Sequence, residues 1–262
     1  MKNMSLSLLG LLTCFLLFQI NAAQKGQLTK PTINIIIPTA DNLYKKGGLI
    51  SELFHQYLSG NFPQYQFNYL DITYQKFWIQ VNQGVDVCNL LGIPNDTDRN
   101  TLVSRHGTFI LPMPSLIMLK KTAQKHQLAA STNALDVLLN KEFIGAYTLG
   151  RRLHTTLDKT IKDKLEENEN SMIGGNFNPT TLHNLLKHKR INFFLGVPKT
   201  LTFIDDDNRS EFSFFHFEEL PDSRLHIVCA DNKKNQRFIN EFDDKISRWY
   251  QHDKLIALKD YI

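Results

Sequence analysis

Alternating strand and helix signals constrain this chain more than any other feature of its sequence. A short β-branched run, 32–37, ends at Pro38 and is typical of a buried strand. Apolar residues at helical spacing follow over 49–58. The next signals are a strand at 66–70, a helix at 77–81 and a strand at 85–91. The order β-α-β-α-β predicts a parallel sheet covered by helices.

The same alternation restarts after Pro112 and Pro114, which mark a crossing of the chain. A glycine pair, Gly174 and Gly175, indicates a turn within this second set of signals. The set comprises strands at 115–119, 143–147, 191–195 and 225–230, and helices at 134–139, 153–168, 180–189 and 235–250. The restart predicts two α/β lobes joined by crossings.

The first residues of the chain differ in kind from the rest. Lys2 is followed by an almost wholly apolar run, 6–20, and then by the small residues Ala22 and Ala23. This arrangement predicts a cleaved secretory signal peptide over residues 1–23 and an exported mature protein. The alternative is an uncleaved anchor, but the run is shorter than the ~20 residues that span a bilayer.

Charge and motifs exclude several function classes. Thirty basic and twenty-six acidic residues are spread without clustering, so a nucleic-acid partner is not expected. The chain has no G-x-S-x-G, H-E-x-x-H or G-x-G-x-x-G motif. His183 and His188 are five residues apart on one predicted helix and point to different faces. We therefore expect no metal, no cofactor and no enzymatic activity.

Two cysteines, Cys88 and Cys229, remain once the signal peptide is removed. An exported protein meets an oxidising compartment, where an even pair of cysteines can form a bridge. Spacing alone does not decide between a disulfide and two free thiols.

Several segments, in order along the chain, carry a resemblance to a known family. They are the strand 83–93, the turn 95–99, the strand and turn 144–150, the segment 189–192 and the final strand 225–230 with its helix. Together they resemble the bacterial family 3 solute-binding proteins, the periplasmic amino-acid-binding type.

The resemblance implies an α/β, two-lobed, periplasmic-binding-protein-like (type II) fold. Each lobe would be a mostly parallel sheet flanked by helices, with hinge crossings between the lobes. The first lobe would comprise residues 24–114 and 219–262, and the second residues 115–218. The implied protein is a periplasmic monomer of the Gram-negative type that captures a small polar or carboxylate-bearing ligand, for an ABC-type importer or a membrane sensor.

The resemblance also makes Arg99 the first candidate binding residue. A carboxylate that leaves water needs a fixed cation, and a guanidinium can hold it with two parallel hydrogen bonds. Arg99 follows the carboxyl end of a strand, where ligands bind in open α/β sheets. The alternative is an exposed arginine paired with Asp96 or Asp98.

Other candidate ligand contacts follow from the same resemblance. The aromatic residues after the first two strands would stack on the ligand, with ordinary packing as the alternative, and Trp78 is assigned to the core. Backbone N–H groups in the turn after a second-lobe strand suit an anion. Asn192 stands where the family often has an aspartate that holds an ammonium, and its amide would bind that group more weakly. The candidates besides Arg99 are Tyr44, Tyr74, Thr97, Thr148, Gly150, Arg151 and Asn192.

The implied sheet order also places Cys88 and Cys229 on neighbouring strands, close enough to bridge. Two further functions stay open. One is an adaptor that binds an envelope protein through the cleft. The other is a dehydratase-like enzyme on the same scaffold, with Glu218 or His216 near the cleft as acid or base.

Overall fold

A computed structural model describes residues 30–38, 49–94, 100–111, 113–167, 172–198, 208–217, 220 and 223–250. The predicted signal peptide, residues 1–23, lies outside the described residues, as do Tyr44, Thr97, Arg99 and Glu218.

Strands and helices alternate along the described chain. The strands are β1 (Thr32–Pro38), β2 (Gln66–Ile72), β3 (Cys88–Gly92), β4 (Thr101–Val103), β5 (Phe109–Leu111), β6 (Ser115–Leu119), β7 (Gly145–Thr148), β8 (Met172–Gly175), β9 (Phe193–Gly196), β10 (Phe212–Phe215) and β11 (Ser223–Ala230). The helices are α1 (Leu49–Asn61), α2 (Tyr74–Asn82), α3 (Lys120–Lys125), α4 (Ala134–Leu139), α5 (Thr155–Glu167), α6 (Pro179–Lys187) and α7 (Lys233–Tyr250).

The first sheet has the strand order β2-β1-β3-β11-β4, and β5 also pairs with β11. β1 runs parallel to β2 and to β3, whereas β11 runs antiparallel to β3, β4 and β5. The chain therefore leaves this sheet after β5 and returns to it through β11. We call this sheet and its helices the first lobe.

The second sheet has the order β10-β6-β9-β7-β8 and, with its helices, forms the second lobe. β7 is parallel to β8 and β9, whereas β6 is antiparallel to β9 and β10. The predicted two-lobed α/β fold is confirmed. The expectation of mostly parallel sheets is wrong, because the strands on which the chain crosses between lobes, β6 and β11, run against their neighbours and make both sheets mixed.

Helix α7 closes the core of the first lobe with one apolar face. Phe238 and Phe242 are fully buried and Ile246 is 8% exposed, as the helical spacing predicts. Both phenylalanines contact Phe62 from the end of α1, with ring centroids 5.8 and 6.0 Å away. Burial of such rings supplies much of the hydrophobic stabilisation of this lobe.

The two cysteines lie directly opposite each other on β3 and β11. Their Cα atoms are 4.0 Å apart, and a disulfide joins Cys88 to Cys229. Both residues are fully buried in the first-lobe core. Of the two states that the sequence left open, the structure has the bridge.

Gly174 and Gly175 correct one local prediction. The pair forms the end of strand β8 rather than a turn. Parallel pairing with β7 over four residues holds this strand in place, which a local glycine signal does not reveal.

Among the described residues, no helix combines the length and the apolar character needed to cross a membrane.

Candidate functional site

The carboxyl ends of the parallel strands define one edge of each sheet. In the first lobe these ends are Ile72 of β2 and Gly92 of β3. In the second lobe β7 ends at Thr148 and β9 at Gly196. Ligands of open α/β sheets bind at such edges, so the segments that follow these strands are the place to look for a site.

One segment of the second lobe reaches the first lobe from this edge. It is the β7–α5 turn, residues 149–154, which links β7 to α5. At its start Gly150 has a φ of +75°, the left-handed region that favours glycine. A Cβ at Gly150 would lie 2.5 Å from the backbone nitrogen of Gln75 and 2.7 Å from its Cα. The two lobes therefore touch here, backbone against backbone, and a side chain does not fit.

Trp78 and Arg152 form the second contact between the lobes. The Trp78 indole Nε1–H of α2 donates to the Gly150 carbonyl at 2.8 Å. The Arg152 guanidinium lies over the same indole, with Cζ 3.6 Å from the ring centroid, which is cation–π geometry. Its Nη1 also donates to the carbonyl of Ile93, which follows β3, at 3.2 Å. The β7–α5 turn is thus fixed to α2 and to the end of β3.

A cavity of about 300 Å³ lies beside these contacts. Its polar and charged lining comes mainly from the β7–α5 turn and α5, while Trp78 extends the lining to the first lobe. The lining residues are Trp78, Tyr147, Thr148, Gly150, Arg151, Arg152, Leu153, Asp158, Ile161, Lys162 and Leu195. This volume is at the lower end of the range typical of small-molecule sites.

Asp158, in the first turn of α5, holds the far end of the β7–α5 turn. Its two carboxylate oxygens accept from the Leu153 N–H at 3.1 and 3.3 Å. Burial raises the pKa of Asp158 to about 6, while the Leu153 N–H, the charge of Arg152 and the His154 N–H oppose the rise. Leu153 is also held through its carbonyl, which accepts from the hydroxyl of Ser223 in β11 at 3.0 Å.

Three of the predicted residues line this cavity. Thr148 ends β7, and its hydroxyl donates to the Phe177 carbonyl at 3.0 Å. Gly150 makes the close contact with α2. The next residue is Arg151, and the Arg151 N–H donates to the Thr148 carbonyl at 3.2 Å. The structure therefore brings Thr148, Gly150 and Arg151 together.

Tyr74 and Asn192 lie elsewhere. Tyr74 is 6% exposed and packs in the core with Phe77 and Val81, which matches the packing alternative. Asn192 precedes β9, and its Oδ1 accepts from the Ile144 N–H at 2.8 Å. Because β7 and β9 are parallel, this position is at the amino-terminal edge of the sheet, about 13 Å from Thr148 at ~3.3 Å per residue. Its place in the fold speaks against a ligand contact by Asn192.

Sequence reasoning missed Trp78, Arg152 and Asp158 as parts of the site. Trp78 follows Tyr74 at helical spacing, and that pattern alone does not separate a residue facing its own core from one facing the other lobe. Arg152 carries a weak signal, because it lies close to the carboxyl end of a predicted strand. Asp158 carries none, because it lies inside the predicted helix 153–168.

A metal site finds no support in this part of the protein. Within the described ranges, no group of three or more His, Cys, Asp and Glu side chains could hold an ion. His183 contacts the Phe212 ring, with centroids 5.7 Å apart, and lies on the side of the second sheet away from the cavity.

No protein-family model matches the sequence, and no curated protein matches it either. Solved structures do match. One, from work on glutathione import through GshT and the cystine ABC importer TcyBC of Streptococcus mutans, has a TM-score of 0.64 and 10% identity, covering 87% of this chain and 92% of that one.

Two further structures are similar. The amino acid ABC transporter substrate-binding protein AbpA of Streptococcus pneumoniae, bound to L-arginine, has a TM-score of 0.58 and 15% identity over 87% of this chain and 94% of its own. An ancestral amino-acid-binding protein, described as a precursor of cyclohexadienyl dehydratase, has a TM-score of 0.61 and 10% identity over 86% and 92%. The chain thus has the two-lobed α/β fold of the amino-acid ABC transporter substrate-binding proteins.

Proposed function

We propose that this protein is an extracytoplasmic solute-binding protein of the family 3 type, which captures a small carboxylate-bearing ligand between its lobes. One observation carries the proposal: the β7–α5 turn both lines the cavity and makes the contacts to α2 and β3. A ligand in the cavity would therefore touch the segment that joins the lobes. Binding and closure would then be coupled, as in hinge-type receptors.

The charges around the cavity favour an anionic ligand group. Arg151, Arg152 and Lys162 contribute three cations, against the single carboxylate of Asp158. Asp158 is engaged with the Leu153 N–H, so it is a poor partner for a ligand ammonium. Guanidinium groups suit a carboxylate through paired hydrogen bonds.

The remaining parts of the proposal rest on the sequence and on the similar structures. An apolar run at 6–20 favours export, and the proposed lobe limits are 24–114 with 219–262 for the first lobe and 115–218 for the second. Arg99, with Thr97 and Tyr44, follows first-lobe strands and would complete the site from that side. A monomer that delivers its ligand to an ABC importer or a membrane sensor is the proposed context.

A thermal-shift screen of residues 24–262 tests the proposal. The panel would contain organic acids, amino acids, L-cystine, glutathione and short peptides. A ligand at 100 times its Kd adds ~2.7 kcal/mol to folding. In a chain of this size that corresponds to a rise in Tm of roughly 5–11 °C.

Two variants separate binding in this cavity from binding elsewhere. Arg152→Ala should abolish the shift that a hit produces. Arg190→Ala, an exposed arginine at the opposite edge of the second sheet, should keep it. A screen with no shift across the panel would contradict a small-molecule receptor and favour the adaptor, which would bind an envelope protein without closing on a small ligand.

One observation supports an enzyme as second candidate. Asp158 has a pKa of about 6 and lines the cavity, which are properties of a general acid or base. His216, the base considered from the sequence, accepts or donates at Nδ1 with the Ser115 hydroxyl at 3.1 Å near the crossing into β6. Incubating each thermal-shift hit with the protein and analysing it by mass spectrometry distinguishes the two, because a receptor returns the ligand unchanged.

A further inference from the structure

We infer that Asp158 is the positioning residue of the β7–α5 turn, the side chain through which α5 presents Arg152 to the first lobe. The inference rests on the proposed function only in treating this turn as a binding element. It concerns how the turn is held, which can be measured without any ligand.

The geometry places Asp158 at the anchored end of the turn. The Leu153 N–H donates to both carboxylate oxygens of Asp158, and the Leu153 carbonyl accepts from the Ser223 hydroxyl. The Asp158 N–H donates to the His154 carbonyl at 2.8 Å, and this hydrogen bond lies at the start of α5. Leu153 is therefore held from α5 and from β11 at once, immediately next to Arg152.

Besides the Leu153–Ser223 hydrogen bond to β11, which belongs to the first lobe, the beginning of the turn makes further contacts to the first lobe. Gly150 touches the backbone of Gln75, and Arg152 covers Trp78 and donates to the Ile93 carbonyl. Between anchored Leu153 and these contacts only a few bonds intervene. Without Asp158 the Leu153 N–H loses its acceptor and the backbone next to Arg152 loosens, while the Ser223 hydroxyl still holds the Leu153 carbonyl. The hydrogen bonds of Asp158 go to neither Trp78 nor Ile93, so its effect on them passes through Leu153.

Charge makes this anchor sensitive to pH. As the pH falls, the carboxylate of Asp158 gains its proton near pH 6, above the ordinary carboxyl pKa of 3.8, because burial disfavours the ionised form. A neutral carboxyl accepts more weakly from the Leu153 N–H than a carboxylate does. The charged or titratable groups around it are Arg151, Arg152 and His154 of the turn, Lys162 of α5 and Tyr147 of β7.

Trp78 supplies the measurement. The chain has two tryptophans, so a Trp249→Phe background leaves Trp78 as the single tryptophan, which is excited selectively at wavelengths that tyrosine does not absorb. Acrylamide quenching at pH 7.5 then reports how well Arg152 and Gly150 cover the indole. Asp158→Ala should raise the quenching constant by about twofold, as expected when a local contact opens. Asp163→Ala, which removes an exposed carboxylate one turn further along α5, should leave it unchanged.

A conservative variant distinguishes positioning from general loss of structure. Asp158→Asn keeps one neutral acceptor oxygen for the Leu153 N–H, so at pH 7.5 its quenching constant should lie below that of Asp158→Ala and near the value that the parent reaches once Asp158 is protonated. In the parent, quenching should increase as the pH falls through about 6, and in Asp158→Asn it should stay flat. Should Asp158→Ala fail to fold by circular dichroism, this pH comparison alone decides.

Two results would overturn the inference: equal quenching in Asp158→Ala and Asp163→Ala, or the same transition near pH 6 in Asp158→Asn and the parent. Neither depends on a ligand. A failed ligand screen with the expected quenching results would reject the proposed function and retain the positioning role, and the reverse pattern would do the opposite.

Discussion

Gly150→Ala is the sharpest perturbation of the contact between the lobes. The added Cβ would lie 2.5 Å from the Gln75 nitrogen, whereas ordinary contacts between heavy atoms are about 3.5 Å. The turn must therefore withdraw from α2 by about 1 Å. Because the obstructing atoms are backbone, no side chain can rotate away to relieve the overlap.

The cost of that withdrawal follows from the contacts that it breaks. The Trp78–Gly150 hydrogen bond contributes roughly 1 kcal/mol. The Arg152–Trp78 stacking contributes about 0.5–2 kcal/mol. A non-glycine residue in the left-handed region adds a cost of about 1–2 kcal/mol. We expect the closed arrangement to lose about 1.5–3 kcal/mol from the two contacts, beyond the backbone cost.

Gly84→Ala is the matched control for this substitution. Gly84 has a φ of +71°, nearly the value of Gly150, yet nothing lies within 4 Å of an added Cβ. Both variants therefore carry the backbone cost, and only Gly150→Ala breaks the contact between lobes.

Calorimetric titration with a ligand from the screen and Trp78 quenching in the Trp249→Phe background measure the difference. Gly150→Ala should weaken binding by roughly 10- to 150-fold relative to Gly84→Ala, at 1.4 kcal/mol per factor of ten. It should also expose Trp78 to the quencher. Equal affinity and equal quenching in the two variants would refute the reasoning that the turn closes the lobes.

Three further substitutions test the remaining parts of the account. Replacing Cys88 and Cys229 by Ala should lower the free energy of unfolding in urea by about 2–4 kcal/mol, and finding two free thiols in denatured, unreduced protein would contradict the bridge. Asp243→Ala should lower the free energy of unfolding by about 2–4 kcal/mol in the same assay, because this buried carboxylate accepts from two backbone N–H groups of the β4–β5 loop. The control Asp244→Ala, which removes an exposed carboxylate, should cost under about 1 kcal/mol. Equal losses in the two variants would contradict a role of Asp243 in holding this loop. Asn192→Ala should destabilise the second lobe by about 1 kcal/mol without changing ligand affinity, and a large loss of affinity would return it to the site.

Periodicity and order predicted most of the fold. The helix predicted at 235–250 corresponds to α7, and its apolar residues at helical spacing, Phe238, Phe242 and Ile246, form the buried face. The crossing at Pro112 and Pro114 marked the point where the chain passes from the first sheet to the second. These features are local, so a single sequence reveals them.

Features set by distant partners were beyond such reasoning. Strand β8 exists because β7 pairs with it, although its glycines have low strand propensity. The mixed sheets follow from how β6 and β11 insert between other strands.

The candidate site shows the same contrast between features with a local sequence signal and features set by distant partners. Thr148, Gly150 and Arg151 were predicted because they follow a strand, and a strand end has a defined edge. Asn192 lies at the amino-terminal edge of the sheet, which a motif likeness does not reveal, because such a likeness fixes neither the strand end nor the edge. Trp78 was assigned to the core because helical spacing does not identify which lobe a side chain faces.

The most direct test of the central claim is a fluorescence titration of Trp78 in the Trp249→Phe protein with the small acids and amino acids of the screen. The account predicts a saturable change in emission for at least one anionic compound. Arg152→Ala should remove that change and Arg190→Ala should preserve it. A compound that raises the Tm while leaving Trp78 emission unchanged would place binding outside this cavity and contradict the account.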